Sequence, residues 1–283
     1  MSYVGGPGLA IQCRNPDPWS FTLKNLTRLA IAAAFAMSTS ALADTITVTF
    51  SGYAHGSDTV SISSPGSLPN PGPGAGEFHA SVLGYANTSP SNLSDASFVD
   101  SQSDFFLYCY DLFQTIQFGS GHSFTYEIDY SGALARTRDF LGAVNSVLNP
   151  SDPYAWLHPA NAAESAAIQI GIWESLYDDL SNGGDGLWSL TSGHFQVSGL
   201  NGDTAGPPVV PGTATYYNNF IAALGTSEDL AQNRTMVLES RTDQDQITGY
   251  RPPPRFDTPE PGSLALMAAG LIAGGIARRK RRT

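Results

Sequence analysis

The sequence predicts an α+β fold: a β-rich domain with a packed helical portion, forming a single main domain. Three observations predict it. Strand-like alternation dominates the first part of the body, helical spacing dominates the middle, and the two do not alternate regularly as they would in a parallel α/β fold. With 283 residues and 41% hydrophobic residues, the chain has ample material for a packed core.

The elements follow in order. "DTITVTFSGY" alternates as a half-buried strand does, and "TVSIS" and "FHASVLGYA" predict further short strands. "SPGSLPNPGPGAGE", residues 64–77, is a Pro/Gly loop between them. The aromatic run from Phe105 to Ile116 predicts a central strand, and "SFTYEIDY" alternates again. "ALARTRDFLGAVNSVL" carries Ala133, Phe140, Val144 and Leu148 at helical spacing. "NAAESAAIQIGIWESLYDDL" opens on Asn161 as an N-cap with Glu164 three residues on, the pattern of a capping box. Its apolar stripe is Ala166, Trp173, Leu176 and Leu180, with Gln169 in the same line. After the loop "NGDTAGPPVVPGT", a shorter helix is expected in "ATYYNNFIAALG", and "TMVLES" and "DQITGY" close the domain as strands.

Charge narrows the function. Residues 44–257 hold six arginines, no lysine and 23 acids, a balance of about -17. Such a body repels nucleic acid and anionic lipid, so neither is an expected partner of it. Five basic residues are instead gathered at Arg278 to Arg282.

Both ends read as addresses. "LKNLTRLAIAAAFAMSTSALAD" has Lys24 and Arg28, an apolar run from Leu29 to Met37, and "ALA" before Asp44, the pattern of a secretory signal over residues 23–43. Residues 1–22 fit no part of such a signal and are expected to be an upstream start extension. The domain is then 44–249, followed by a Pro-rich stalk at 250–258. In the last segment, 259–283, Gly262 to Ala277 is apolar but shorter than the roughly 20 residues that comfortably span a bilayer. The basic cluster after it should stay cytoplasmic, which places the body on the outer side. Pro259-Glu260-Pro261, a short apolar helix and a basic tail with Arg278 and Arg279 strongly resemble the PEP-CTERM sorting signal. The resemblance implies an exosortase-type processing protease as partner and transient attachment through the C-terminal helix. It also implies release to the cell surface or extracellular matrix of a Gram-negative bacterium.

Once the leader is removed with Cys13, Cys109 in "FFLYCYDLFQ" has no intramolecular disulfide partner. Such a cysteine forms an intermolecular bond, serves as a reactive thiol, or is buried as a small hydrophobe. The five histidines (His55, His79, His122, His158, His194) show no ligand spacing around it, so neither metal nor cofactor is expected. His122 or His158 as a base would make a secreted cysteine hydrolase. The acidic "YDDLSNGGDG" at 177–186 lacks EF-hand spacing and reads as a solvated helix end.

Gln169 raises a separate question, because an unpartnered carboxamide on a core-facing stripe costs about 1 to 3 kcal/mol. A hydrogen-bonded core glutamine answers it. "YCYD" on a strand followed about sixty residues later by "IQIGIWE" on a helix also resembles the thioester domains of bacterial surface proteins. That resemblance implies that Cys109 and Gln169 are joined side chain to side chain, with Tyr108, Tyr110 and Trp173 as surrounding motif positions. The thiolate would attack the glutamine carbonyl and ammonia would leave; Asp111 could pass protons. The activated acyl group would then capture an amine or hydroxyl once, making the protein an adhesin or crosslinker and not an enzyme. A body without lysine would offer no lysine to its own thioester or to that of a sister molecule. The competing expectation is a non-reactive structural protein associated with exopolysaccharide.

Overall fold

Alternation in β1 (Thr45–Tyr53) turns Ile46, Val48 and Phe50 to one side, where they are fully or almost fully buried. The computed structural model describes residues 43–66, 68–69, 72–88, 104–131, 133–202, 211–225 and 234–251. Along this chain the strands are β1, β2 (Asp58–Thr59), β3 (Ser61–Ser64), β4 (Gly74–Ala75), β5 (Phe78–Ala86), β6 (Phe105–Cys109), β7 (Phe124–Asp129), β8 (Gln196–Ser198), β9 (Thr235–Glu239) and β10 (Gln246–Gly249). The helices are α1 (Ala135–Leu148), α2 (Ala162–Tyr177) and α3 (Thr213–Ala222).

Six strands close into an antiparallel barrel in the order β1-β5-β6-β10-β9-β7. Directly paired residues project to the same side of a sheet, so the register identifies the inner layer. Phe50 pairs with Ala80, Ala80 with Phe105, Phe78 with Leu107, Cys109 with Gln246, Gln246 with Leu238, and Ile46 with Tyr126. All are buried, and a barrel this small is filled by such side chains rather than left open. Cys109 therefore belongs to the inner layer, at the last residue of its strand.

The helices form the second part of the core. Asn161 caps α2 by accepting the Glu164 N–H at 3.0 Å, as its position predicts. The Glu164 carboxylate accepts from the N–H of Ala160 at 2.6 Å, one residue earlier than a capping box requires. Every α2 residue from Glu164 to Ser175 is buried. The single apolar stripe expected of this helix is thus an incomplete description, because α2 packs against α1 and α3 as well as β2 and β4. At Gly171 the approach of α1 is so close that a Cβ would lie 1.9 Å from the Phe140 ring.

Several sequence expectations need correction. The strand expected over Phe105 to Ile116 ends at Cys109, because the chain turns at 111–114 and leaves the barrel. Helix α2 ends at Tyr177, and Leu180 lies beyond it in a 3-10 turn, 74% exposed rather than on the core stripe. The Pro/Gly loop contains β4, which pairs with β2, and the unpredicted β8 pairs with β3. The leader, the Pro-rich stalk and the sorting segment lie outside the described residues. No helix among the described residues is long and apolar enough to cross a membrane.

Two outcomes follow from this packing. Gly171→Ala forces a methyl into the Phe140 ring and should lower stability by roughly 1 to 3 kcal/mol in urea denaturation; an unchanged midpoint would contradict the close α1–α2 contact. The second concerns pH. Burial pushes the Glu174 carboxyl up to about 8, offset in part by the Ser189 N–H, and it also raises Glu77, Glu164 and Asp245. These native carboxyls bind protons more tightly than their unfolded counterparts, so stability should be greatest in mild acid and fall as pH rises toward about 8. Melting temperatures across that interval should decline, and Glu174→Gln should flatten the decline.

Candidate functional site at the barrel mouth

The site begins with a gap in the sheet. Successive residues of a strand point their N–H and C=O groups to opposite neighbours. On β6, Tyr108 faces β10, and the N–H of Tyr110 continues that side by donating to the Asp245 carbonyl at 2.8 Å. Leu107 faces β5, but β5 starts at its partner Phe78 and offers nothing to the next residue on that side, Cys109. Helix α2 supplies the missing partner. Gln169 Nε2 donates to the Cys109 carbonyl at 2.7 Å, and Gln169 Oε1 accepts the Cys109 N–H at 2.9 Å. A primary carboxamide carries a donor and an acceptor spaced like those of a peptide group, so Gln169 extends the sheet by one surrogate residue. Cys109 is 1% exposed and Gln169 is fully buried.

The thiol sits beside this pair. Its Sγ donates to the Asp111 carbonyl at 2.6 Å and accepts from Trp173 Nε1–H at 3.4 Å. Trp173 lies one helical turn after Gln169 on α2, so one helix face supplies both groups. Burial pushes the thiol pKa far above its ordinary value; the Trp173 and Asp111 hydrogen bonds oppose this, and the charges of Asp111 and Asp245 reinforce it. The resting group is therefore the protonated thiol rather than a standing thiolate. It opens on a cavity of about 140 Å³ whose walls include Tyr53, Phe78, Phe118, Trp173 and Gln244. No charged side chain lines it among the described residues.

The remaining sequence candidates take supporting places. Tyr108 projects away from the barrel interior, packs beside Trp156 at 5.9 Å and donates to its carbonyl at 3.3 Å. The Tyr110 hydroxyl accepts the N–H of Leu134 at 2.9 Å and so ties the start of α1 to the end of β6. Asp111 contributes through its main chain: its carbonyl takes the thiol proton's hydrogen bond, while its carboxylate closes the turn by accepting the Phe113 N–H. Neither His122 nor His158 hydrogen-bonds the thiol, and His158 lies 3.7 Å from Asp152. In 177–186, Asp178 is buried and accepts from the backbone of His194 and Phe195, which replaces the expected solvated helix end there. The described residues contain no cluster of three or more side chains suited to a metal.

Sequence reasoning missed two members of the site. Gln244 Nε2 donates to the carbonyls of Asp111 and Gln114 at 3.0 and 3.1 Å, clamping the turn that follows β6. The Tyr177 hydroxyl accepts the Leu112 N–H at 2.8 Å. Neither has a local sequence signal, since each acts on a segment more than sixty residues away.

Residues 257–282 match the family model of the PEP-CTERM protein-sorting motif, which includes Pro259, Glu260, Pro261, Arg278 and Arg279. No curated protein and no solved structure matches the chain. The chain is thus an exported bacterial protein sorted through the membrane to the surface. More particularly, its C-terminal PEP-CTERM sorting motif implies processing by exosortase.

The Gln169 pairing predicts its own cost of removal. Gln169→Ala strands two buried backbone groups and should lower stability by about 1 to 3 kcal/mol per group. Cys109→Ala leaves both partners in place and should cost less in the same denaturation experiment; equal losses would contradict the surrogate-strand role.

Proposed function

We propose that this exported protein forms an internal thioester between Cys109 and Gln169 and uses it once to attach covalently to an amine or hydroxyl target. One observation carries the reading: the carboxamide of Gln169 is held by both of its polar ends on the backbone of Cys109, the residue whose thiol must attack it. Such fixed placement substitutes for a high concentration of reactant. Sγ attacks Cδ of Gln169, forming the S–C bond, and the Cys109 N–H supports charge developing on Oε1 as an oxyanion donor does. The C–N bond then breaks, the thiol proton passes to the departing nitrogen, and ammonia leaves. Capture reverses the roles. A target amine or hydroxyl attacks the acyl carbon, the Gln169 side chain becomes an amide or ester, and Cys109 regains its proton.

The aromatic walls limit water around the acyl group until a nucleophile enters. The sorting motif supports the setting, a protein delivered to the surface or matrix of a Gram-negative bacterium, where adhesion or crosslinking is the useful outcome. The absence of lysine from residues 44–257 would leave the body without a lysine to be captured by its own kind.

A second reading rests on the same contacts. Gln169 already satisfies the Cys109 backbone, and a protonated buried thiol is inert, so the pair would serve equally as core of a non-reactive matrix protein. A cysteine hydrolase is disfavoured because the hydrogen bonds of the thiol go to the Asp111 carbonyl and Trp173 rather than to an imidazole.

Methylamine separates the two main readings. In protein prepared without reductant or amine buffer, the thioester reading predicts the intact-mass gain of one methylamine, located on Gln169, with Cys109 newly open to alkylation. Cys109→Ala should abolish the gain. An alkylatable Cys109 in untreated, denatured protein with no methylamine uptake would establish the structural reading instead.

A further inference from the structure

A separate chain of polar side chains lies on the outer wall of the barrel, on the face away from the thiol. Strand β1 carries an extra residue there: Phe50 pairs with Ala80 and Gly52 with His79, leaving Ser51 unmatched. Bulges of this kind re-aim side chains. Ser51 Oγ lies 2.7 Å from His79 Nδ1, and His79 Nε2 lies 2.6 Å from Oδ1 of Asp104, the residue before β6. The Phe106 ring lies beside the imidazole, with centroids 5.4 Å apart. Ser51 is exposed, while the His79 and Asp104 side chains are 31% and 25% exposed.

An ionised carboxylate only accepts, so Asp104 takes the proton carried on Nε2; in the neutral tautomer the ring presents the Nδ1 lone pair to the Ser51 hydroxyl. The carbonyl of His79, 3.0 Å from the same Oγ, is a second acceptor for that hydroxyl. Nucleophile, base and orienting carboxylate thus stand in hydrogen-bonded series across β1, β5 and the entry to β6.

We propose that Ser51 is an activated nucleophile and a site of covalent modification, taking acyl or phosphonyl groups from small activated electrophiles. With an aryl ester, Oγ attacks the carbonyl carbon as its proton passes to His79 Nδ1, and Asp104 stabilises the resulting imidazolium. The ester C–O bond breaks, the leaving aryloxide takes the proton as a phenol, and Ser51 is left O-acylated. This assignment is independent of the Cys109–Gln169 reading.

Labelling of the purified protein with a fluorophosphonate probe, followed by peptide mapping, tests it. The expected adduct is on Ser51 and disappears in Ser51→Ala. His79→Gln should slow labelling about a hundredfold or more, the usual range for loss of a general base, with the circular dichroism spectrum unchanged. Asp104→Asn should slow it as well. Labelling of Ser51 no faster than that of another exposed serine such as Ser181, or at an unchanged rate in His79→Gln, would overturn the proposal.

Discussion

The two hydrogen bonds between the Gln169 carboxamide and the Cys109 backbone join the barrel to the helical layer at one point. They exist because β5 starts one pairing too late to serve the end of β6. A buried strand end with an unpaired N–H and C=O is costly, and a side chain that imitates a peptide removes the cost. Much of the surrounding architecture serves that geometry. Asn161 fixes where α2 begins, Gly171 lets α2 press against Phe140, and Gln244 and Tyr177 hold the turn that carries the chain out of the barrel.

The same constraint sets the chemistry available. A thiol buried among aromatic rings, with the charges of Asp111 and Asp245 adding to the effect of burial, is held in its protonated form, the opposite of a standing cysteine nucleophile. It can react only with something already in contact. The structure holds a carboxamide fixed to its own residue, and an indole N–H points at the sulfur. Under the proposed thioester chemistry, inertness toward the bulk and reaction with one partner are compatible, because fixed position rather than a lowered pKa would reduce the barrier.

The sequence made the elements legible where pattern is local. The alternation in "DTITVTFSGY" and "FHASVLGYA", the Asn161 cap and the helical spacing of Phe140 and Val144 all have local causes and all appear in the fold. The aromatic run misled because apolar residues from Leu112 onward resemble a strand, while the turn at 111–114 depends on Gln244, 130 residues or more away. The all-round burial of α2 was also hidden, since a stripe count cannot tell how many layers enclose a helix. Cys109 and Gln169 could be paired from sequence only through a motif resemblance. The register that brings them together, and the bulge that turns Ser51 onto His79, are properties of strand pairing.

Electron density at the end of β6 addresses the central claim most directly. The hydrogen-bonded carboxamide is the pair before reaction. In crystals of the exported protein grown without amines or reductant, the proposed thioester predicts continuous density of covalent length between Cys109 Sγ and Gln169 Cδ, with no atom at the Nε2 position. Separate side chains at van der Waals distance, with Nε2 present and bonded to the Cys109 carbonyl, would contradict it and leave the pair as a structural joint.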